Sequence, residues 1–221
     1  MELKKFRNKY DLELIPASHD GIILGTLVWD PIIGKPEFDH GGMPNNIFTS
    51  FHDAEFITED EWSLYMNDLR TRELGEAHFA ESTINVDTNI ATTLEYPTIG
   101  KISNSFNLNK VVKFTFGDLK VKVMADLTRI RIDNYLESLK KEKWDDYDGK
   151  IRRVFMVTEL YYGSIKMVTK TDWADELDAT IPKLDLKLSN KVELGKSVEY
   201  TFDHQNVPFA MRIERVRDFN G

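Results

Sequence analysis

Apolar and polar side chains alternate over two unusually long stretches in the middle of this chain. The stretches cover residues 84–96 and 102–116. A period of two places successive side chains on opposite faces of an extended strand. A typical strand in a globular protein has about five to six residues, whereas a tilted strand that crosses a bilayer needs about nine to eleven. Long, one-sided antiparallel strands are therefore predicted. Their apolar positions are Ile84, Val86, Ile90, Leu94 and Tyr96, then Ile102, Phe106, Leu108, Val112, Phe114 and Phe116.

The second stretch ends at Gly117-Asp118, a residue pair of the kind that closes a tight hairpin. Beyond this pair the apolar positions become odd-numbered. If Gly117 and Asp118 form the loop, three apolar pairs face each other across the hairpin, and the lysines lie on the opposite face. The predicted apolar pairs are Phe116 with Leu119, Phe114 with Val121, and Val112 with Val123; the polar face carries Lys113, Thr115, Lys120 and Lys122.

The alternation has two interpretations, since any antiparallel sheet with one solvated face shows the same pattern. Thr88, Thr92, Asn104 and Lys110 interrupt the apolar face, and a lysine facing lipid at mid-bilayer depth costs about 2–4 kcal/mol. Burial of one apolar hairpin side chain contributes roughly 1.5–3 kcal/mol, so several of them outweigh one interruption. The energetics permits membrane insertion without requiring it.

Local signals predict a few further elements around these stretches. Thr58 and Glu61 fit a capping box before a helix over about 59–70, and helical spacing predicts a second helix over about 130–143. Strands are expected at 22–29, 151–160, 164–170, 183–189, 197–203 and 207–217. We expect a single domain over residues 1–221 with an α+β fold: a large twisted antiparallel sheet with long amphipathic strands and a few peripheral helices.

Composition narrows the class of protein further. The 221 residues include no cysteine, which excludes disulfides, thiolate nucleophiles and cysteine-bound zinc. The net charge is −8, with +3 in residues 1–10, −14 in 11–97, +5 in 98–143 and −2 in 144–221. The opening MELKKFRNKY shows no secretory signal, and no stretch approaches the roughly 20 apolar residues of a spanning helix. We therefore expect a protein that is made in the cytoplasm.

No catalytic, metal-binding or cofactor-binding motif is visible. None of the five histidines lies in an HExxH spacing, and GxSxG, P-loop and GxGxxG patterns are absent. Asp39-His40 and His52-Asp53 could contribute to a two-histidine, carboxylate metal site, but exposed loop histidines explain them better. The chain is expected to be no enzyme and to use no cofactor or metal.

A nucleic-acid partner is not expected either. The candidate residues would be Lys110, Lys113, Lys120, Lys122, Arg129 and Arg131, interleaved with Phe114 and Phe116. In the predicted hairpin the lysines and phenylalanines point to opposite faces, whereas a base-stacking platform needs both on one exposed face.

Four segments resemble the gasdermin pore-forming domain. VFMVTELYYGSIKMVTKT (154–171) is similar to the family's strand pair with an apolar-V-V-T-E-apolar run, and NVPFAMRIERV (206–216) is similar to its closing strand. GKISNSFNLN (100–109), followed by an amphipathic strand, a helix and the VTE strand, keeps the family's element order. DLELIPASHDGIILGTLVWDP (11–31) resembles the family's entry into its first strand. The resemblance covers most of the chain.

The resemblance implies a non-enzymatic effector of cell death (pyroptosis) or antiviral defence. It would be cytoplasmic and autoinhibited until an activating protease cuts it. The cut protein would bind acidic lipids of the cell membrane and homo-oligomerise. Two hairpins per subunit would then extend to form a large β-barrel in the membrane. The lipid-binding residues carried over from the family are Lys4, Lys5, Arg7 and Lys9 in the first helix, and Trp29, Ile32 and Ile33 at an apolar tip. The membrane-inserting hairpin would be Val112, Phe114, Phe116, Leu119, Val121 and Val123.

A second hypothesis stays open from the residues alone. A soluble, non-enzymatic α+β domain of the immunity or scaffold type could use a long sheet edge to pair with a strand of a protein partner.

Overall fold

A computed structural model describes residues 3–15, 22–29, 46–67, 75–76, 84–86, 111–151, 153–184, 187–202 and 208–219. The fold is α+β with a large antiparallel sheet and several helices, which confirms the predicted fold class. Ile32, Ile33 and the parts of the two alternating stretches at 87–96 and 102–110 lie outside the described residues.

The helices and strands alternate irregularly along the chain. The helices are α1 (Leu3–Tyr10), α2 (Ile47–Asp53), α3 (Glu59–Met66), α4 (Asp126–Ile151) and α5 (Ala174–Thr180). The strands are β1 (Glu13–Leu14), β2 (Leu27–Trp29), β3 (Gly75–Glu76), β4 (Ile84–Val86), β5 (Val111–Val123), β6 (Val154–Lys170), β7 (Leu188–Leu194), β8 (Ser197–Phe202) and β9 (Ala210–Arg215).

The chain divides into two compact units. The first comprises residues 1–18, 76–121 and 161–210, and the second comprises residues 19–75, 122–160 and 211–221. The two longest strands, β5 and β6, each contribute residues to both units, and they are neighbours in the sheet. The expectation of one domain over residues 1–221 stays a prediction.

The first unit is built on an aromatic and aliphatic core. In it β6 pairs antiparallel with β8, β8 pairs with β7, and β4 pairs with β5. The rings of Phe116 and Phe209 stack at 3.9 Å between centroids, and both side chains are buried. The largest fully buried side chains of this unit include Phe6, Phe114, Phe116, Tyr200, Phe202 and Phe209.

The second unit packs three helices through aromatic side chains. The ring of Phe48 on α2 stacks on that of Tyr65 on α3, and Tyr135 on α4 contacts the rings of Phe51 and Phe56. The predicted capping box is present, because Glu61 N–H donates to Thr58 Oγ1 and Thr58 N–H donates to a Glu61 carboxylate oxygen. Both predicted helices are confirmed, the first as α3 and the second within the longer α4.

The predicted hairpin at Gly117-Asp118 is wrong. Residues 111–123 form one continuous strand. Its largest buried side chains are the even-numbered Phe114 and Phe116 before Gly117-Asp118 and the odd-numbered Leu119 after this pair, while Val111 and Thr115 are buried as well. Asp118 has a φ of 48°. From this positive φ and the shift of the apolar positions from Phe116 to Leu119, we infer a β-bulge, which adds one residue to a strand. A bulge and a two-residue hairpin both return the odd-numbered residues to the same face, so the sequence pattern fits either.

Two contacts accompany the bulge. The Ser164 hydroxyl on β6 donates to Asp118 Oδ2 at 2.6 Å. A Cβ atom at Gly163 would lie 2.9 Å from the carbonyl oxygen of Gly117. Because real Cβ atoms do not approach backbone oxygen so closely, glycine at position 163 permits the close approach of β6 to the bulge.

Three other strand predictions change in detail. The expected strands 151–160 and 164–170 form the single strand β6. Within the described residues, the start of the expected strand 183–189 belongs to a 3₁₀ turn, Ile181–Leu184, and extended structure begins only at Leu188; the fixed φ of Pro182, about −65°, suits this turn. Of the expected strand 22–29, only Leu27–Trp29 is extended, since Gly25 adopts a φ of 82°.

Gly163→Ala is expected to destabilise the protein by about 1–3 kcal/mol, because the added methyl group meets the Gly117 carbonyl and forces the strands apart. Urea unfolding followed by circular dichroism measures the change in free energy of unfolding. Lys196→Ala, at an exposed turn residue, is the control and is expected to stay within about 0.5 kcal/mol of the unaltered chain. Equal stability of Gly163→Ala and the control would contradict the close approach at the bulge.

Candidate functional site

The predicted lipid-binding segment forms helix α1. Lys4 and Lys5 lie within this helix, and their side chains lie outside the described part of the structure. Lys9 is exposed, and its Nζ donates to Tyr10 Oη at 2.9 Å and lies 4.6 Å from the centre of the Tyr10 ring. Phe6 and Tyr10 are buried and attach the helix to the core of the first unit.

Arg7 is held in an ion pair within the protein. Its guanidinium donates to the Glu13 carboxylate on β1, with Nη2 at 2.8 Å from Oε2. Burial raises the pKa of Glu13, and the hydrogen bond and charge of Arg7 oppose that rise. One of the four predicted lipid-binding cations therefore neutralises a buried carboxylate in this structure.

The predicted apolar tip is described only in part. Trp29 is half-buried at the end of β2, where it pairs with Val154 of β6. Ile32 and Ile33 lie outside the described residues. A lipid-binding role for these three residues stays a prediction.

The six residues of the predicted inserting hairpin divide into three environments on β5. Phe114, Phe116 and Leu119 are buried in the core of the first unit. Val121 and Val123 are half-buried. Val112 is 57% exposed. In this conformation half of the six predicted inserting side chains belong to the core, so membrane insertion of these three would require β5 to leave its neighbours.

The lysines of β5 are separated from its phenylalanines, but Thr115, which was predicted on the polar face, is buried. Lys113 and Lys120 are exposed, whereas Phe114 and Phe116 have no exposed surface. The two rings are therefore not available for stacking on a base in this conformation.

An exposed apolar strand escaped the sequence analysis. Leu188, Val192 and Leu194 of β7 are exposed, and all seven residues of this strand are solvent-accessible. The alternation of Val192 and Leu194 with Lys191 and Glu193 is a usable signal, but only Leu188 of the three apolar residues lies within the strand expected at 183–189.

The candidate metal site at the histidines is not assembled among the described residues. His52 Nε2 lies 2.9 Å from Glu59 Oε2, and His52 Nδ1 lies 3.7 Å from Asp53 Oδ1. Across the described segments, no group of three or more histidine, aspartate and glutamate side chains could hold a metal ion. Asp39 and His40 fall outside these segments.

No helix in the described residues combines the length and apolar character that crossing a membrane requires. No protein-family model matches the sequence, and no curated protein is significantly similar to it.

Arg7→Gln is expected to destabilise the protein by about 1–2 kcal/mol at neutral pH. This is less than the cost of breaking a fully buried ion pair, because the Arg7 side chain is one-third exposed and solvent screens its charge. Without Arg7, the raised pKa of Glu13 rises further. The cost in stability is then complete above this folded-state pKa, declines as the pH falls through it, and disappears only below the unfolded-state pKa. Urea unfolding at neutral and acidic pH measures both effects.

The double change Arg7→Gln/Glu13→Gln removes the carboxylate together with its partner and is the matched control. It is expected to restore most of the stability at neutral pH and to weaken the pH dependence. If Arg7→Gln is as stable as the unaltered chain at neutral pH, the ion pair does not stabilise the fold. A lipid-binding test of Arg7 needs this double variant, because Arg7→Gln alone changes folding too.

Proposed function

We propose that this protein is a gasdermin-like, membrane pore-forming effector of cell death or defence. It acts without catalysis, is cytoplasmic and inactive until an activating protease cuts it, and then binds acidic lipids at the cell membrane and assembles as a homo-oligomer. The resemblance of residues 11–31, 100–109, 154–171 and 206–216 to the gasdermin domain supports this proposal.

The length of two neighbouring strands is the structural observation that favours it most. β5 has 13 residues and β6 has 17, and the two strands are adjacent in the sheet. A tilted strand needs about nine to eleven residues to cross the hydrocarbon core of a bilayer. Each strand is therefore long enough to cross without adding residues from neighbouring loops.

The burial of Phe114, Phe116 and Leu119 fits a protein that is inactive before cleavage. Each buried side chain of this size contributes roughly 1.5–3 kcal/mol to the folded state. The three contributions oppose the departure of β5 from the core, so insertion needs an event that weakens the first unit or a compensating gain in lipid. Proteolysis is the event that the resemblance implies.

Acidic lipid would provide part of that compensating gain. The N-terminal segment carries +3 in its first ten residues, and each basic residue near an anionic membrane surface contributes about 1 kcal/mol. Because Arg7 already pairs with Glu13, the cations of α1 that would contribute most are Lys4, Lys5 and Lys9.

Val112→Asp is expected to abolish pore formation and to leave folding unchanged. Val112 is exposed, so the change does not disturb the core, but in a membrane it would place a charge on the lipid face. Lys113→Asp is the matched control, because Lys113 is the exposed neighbouring residue and its side chain lies on the opposite face of the strand. The measurement is dye leakage from vesicles of phosphatidylserine and phosphatidylcholine after graded trypsin treatment, with thermal unfolding as the folding check.

Retained leakage with Lys113→Asp and lost leakage with Val112→Asp would support insertion of this face. Vesicles of phosphatidylcholine alone are expected to leak less. If the unaltered protein releases no dye under any degree of cleavage, or if Val112→Asp leaks as fast as Lys113→Asp, the proposed insertion is wrong.

A disulfide between β5 and β6 is expected to block the pore reversibly. The side chains of Asp118 and Ser164 are in contact at 2.6 Å, and the chain has no other cysteine, so Asp118→Cys/Ser164→Cys can form only this bond within one molecule. Leakage is expected only after reduction, because the oxidised bond holds β5 in the sheet. Asp118→Cys alone controls for the substitution. Equal leakage in the two redox states of the double variant would show that β5 stays in place in the pore.

A soluble protein-binding function through a sheet edge is the second candidate. The exposure of every residue of β7 favours it, since an open strand edge can pair with a strand of a partner. This function predicts no dye leakage under any treatment.

A further inference from the structure

Among the described residues, β7 is an edge strand of the first unit. It pairs with β8 on one side, and no second strand of the described part of the chain pairs with it. All seven of its residues are exposed. An unpaired edge presents backbone N–H and C=O groups that can hydrogen-bond with another strand.

The two faces of β7 have the reverse of the polarity expected for a strand beside a core. Opposed residues of an antiparallel pair lie on the same face, and Lys191 and Glu193 oppose the buried Tyr200 and Val198 of β8. The apolar Val192 and Leu194 therefore lie on the outer face, where they are 38% and 52% exposed. This apolar outer face is unexplained by the packing of the monomer.

The hairpin between β7 and β8 shows which backbone groups point to the open edge. Gly195 has a φ of 65° and is the first residue of the two-residue turn between Leu194 and Ser197. The residues that flank such a turn exchange both of their backbone hydrogen bonds, and the exchange then recurs at every second pair. Leu194 and Val192 consequently bond with β8, whereas the N–H and C=O groups of Lys191 and Glu193 point away from it.

We propose that the occupant of this edge is a second copy of the chain, whose β7 pairs antiparallel with the first around a two-fold axis at Val192. In this register Lys191 of each copy exchanges backbone hydrogen bonds with Glu193 of the other. The two Val192 side chains face each other on the outer face. Leu194 of each copy lies diagonally beside Val192 of the other.

The charges of Lys191 and Glu193 favour this register over the two neighbouring ones. A two-fold axis at Lys191 would place lysine opposite lysine, and an axis at Glu193 would place glutamate opposite glutamate. Like charges directly opposite each other in a sheet are unfavourable, whereas opposite charges are favourable. The axis at Val192 alone among these three pairs Lys191 with Glu193, and it does so twice.

Lys191, the lysine of β7 that could cover its open edge, contacts helix α5 instead. Edge strands often avoid association by directing a lysine over the open edge. Lys191 Nζ instead lies 2.5 Å from Asp178 Oδ2 on α5 and 5.7 Å from the centre of the Tyr200 ring. No proline interrupts β7. The edge is therefore accessible to a second strand.

This dimer is independent of pore formation. A two-fold pair of β7 strands closes on itself, whereas a ring requires two different surfaces on each subunit. The dimer would be a form of the intact, uncleaved protein, so its test uses no lipid and no protease.

Cysteine cross-linking locates the two-fold axis. The chain has no cysteine of its own, so Val192→Cys introduces a single thiol, which in the proposed register faces its own copy across a close strand pair. Leu194→Cys is the matched control: it is more exposed, but its two copies would lie about 13 Å apart along the strands, too far for a disulfide. Mild oxidation and non-reducing gels are expected to show a covalent dimer for Val192→Cys at least about tenfold faster than for Leu194→Cys.

Charge exchange tests the pairing without cross-linking. Glu193→Lys alone creates two lysine pairs across the axis, and Lys191→Glu alone creates two glutamate pairs, so each variant is expected to be monomeric in sedimentation over a concentration series. When the two variants are mixed, every pair again joins opposite charges, and a heterodimer is expected. Circular dichroism of each variant checks that the monomer is folded.

The proposal is overturned if the unaltered chain sediments as a monomer over the whole series, or if Leu194→Cys cross-links as fast as Val192→Cys. It is also overturned if the two folded charge variants stay monomeric when mixed. A monomer in sedimentation together with dye leakage after cleavage would reject the dimer and support pore formation. A dimer in sedimentation without dye leakage under any treatment would support the dimer and reject pore formation.

Discussion

The bulge at Gly117-Asp118 keeps both halves of β5 facing the same core. Without an added residue, strict alternation would turn Leu119 and Val121 to the solvated face once Phe114 and Phe116 point inward. The hydrogen bond from Ser164 and the missing side chain at Gly163 accommodate the bulge on the β6 side. The stack of Phe116 on Phe209 then joins β5 to the segment that leads into β9.

The sequence predicted the features that depend on neighbouring residues. The capping box of α3 needs only Thr58 and Glu61, three positions apart, and it formed as expected. The fold class followed from the alternation and from the helical spacings. The bulge could not be predicted from neighbouring residues, because Gly117 and Asp118 fit a hairpin equally well. The partners of the bulge, Gly163 and Ser164, are about 46 positions away, and no local pattern connects them to it.

The candidate site was harder to predict than the fold because charge alone does not show which cations are already paired. Arg7 belonged to a basic segment that resembled a lipid-binding helix. Asp11 has a positive φ of 54° between α1 and β1, and in this local geometry Glu13 meets the guanidinium of Arg7. Similarly, Lys191 of the edge strand β7 forms an ion pair with Asp178 of α5. In both cases tertiary structure converts an apparent surface charge into an internal contact.

The apolar side chains of β5 cannot pack in the protein core and contact lipid in the same conformation. Phe114, Phe116 and Leu119 stabilise the first unit only while they are covered by its other elements, but the same side chains could contact lipid only after leaving that cover. Their combined burial, at roughly 1.5–3 kcal/mol each, is comparable with the total stability of many domains, about 5–15 kcal/mol. Removing β5 alone from an otherwise intact unit is therefore too costly to occur spontaneously. If the protein forms pores, the step that frees β5 must also loosen the elements packed on it, and lipid contact must replace the lost burial in the same transition.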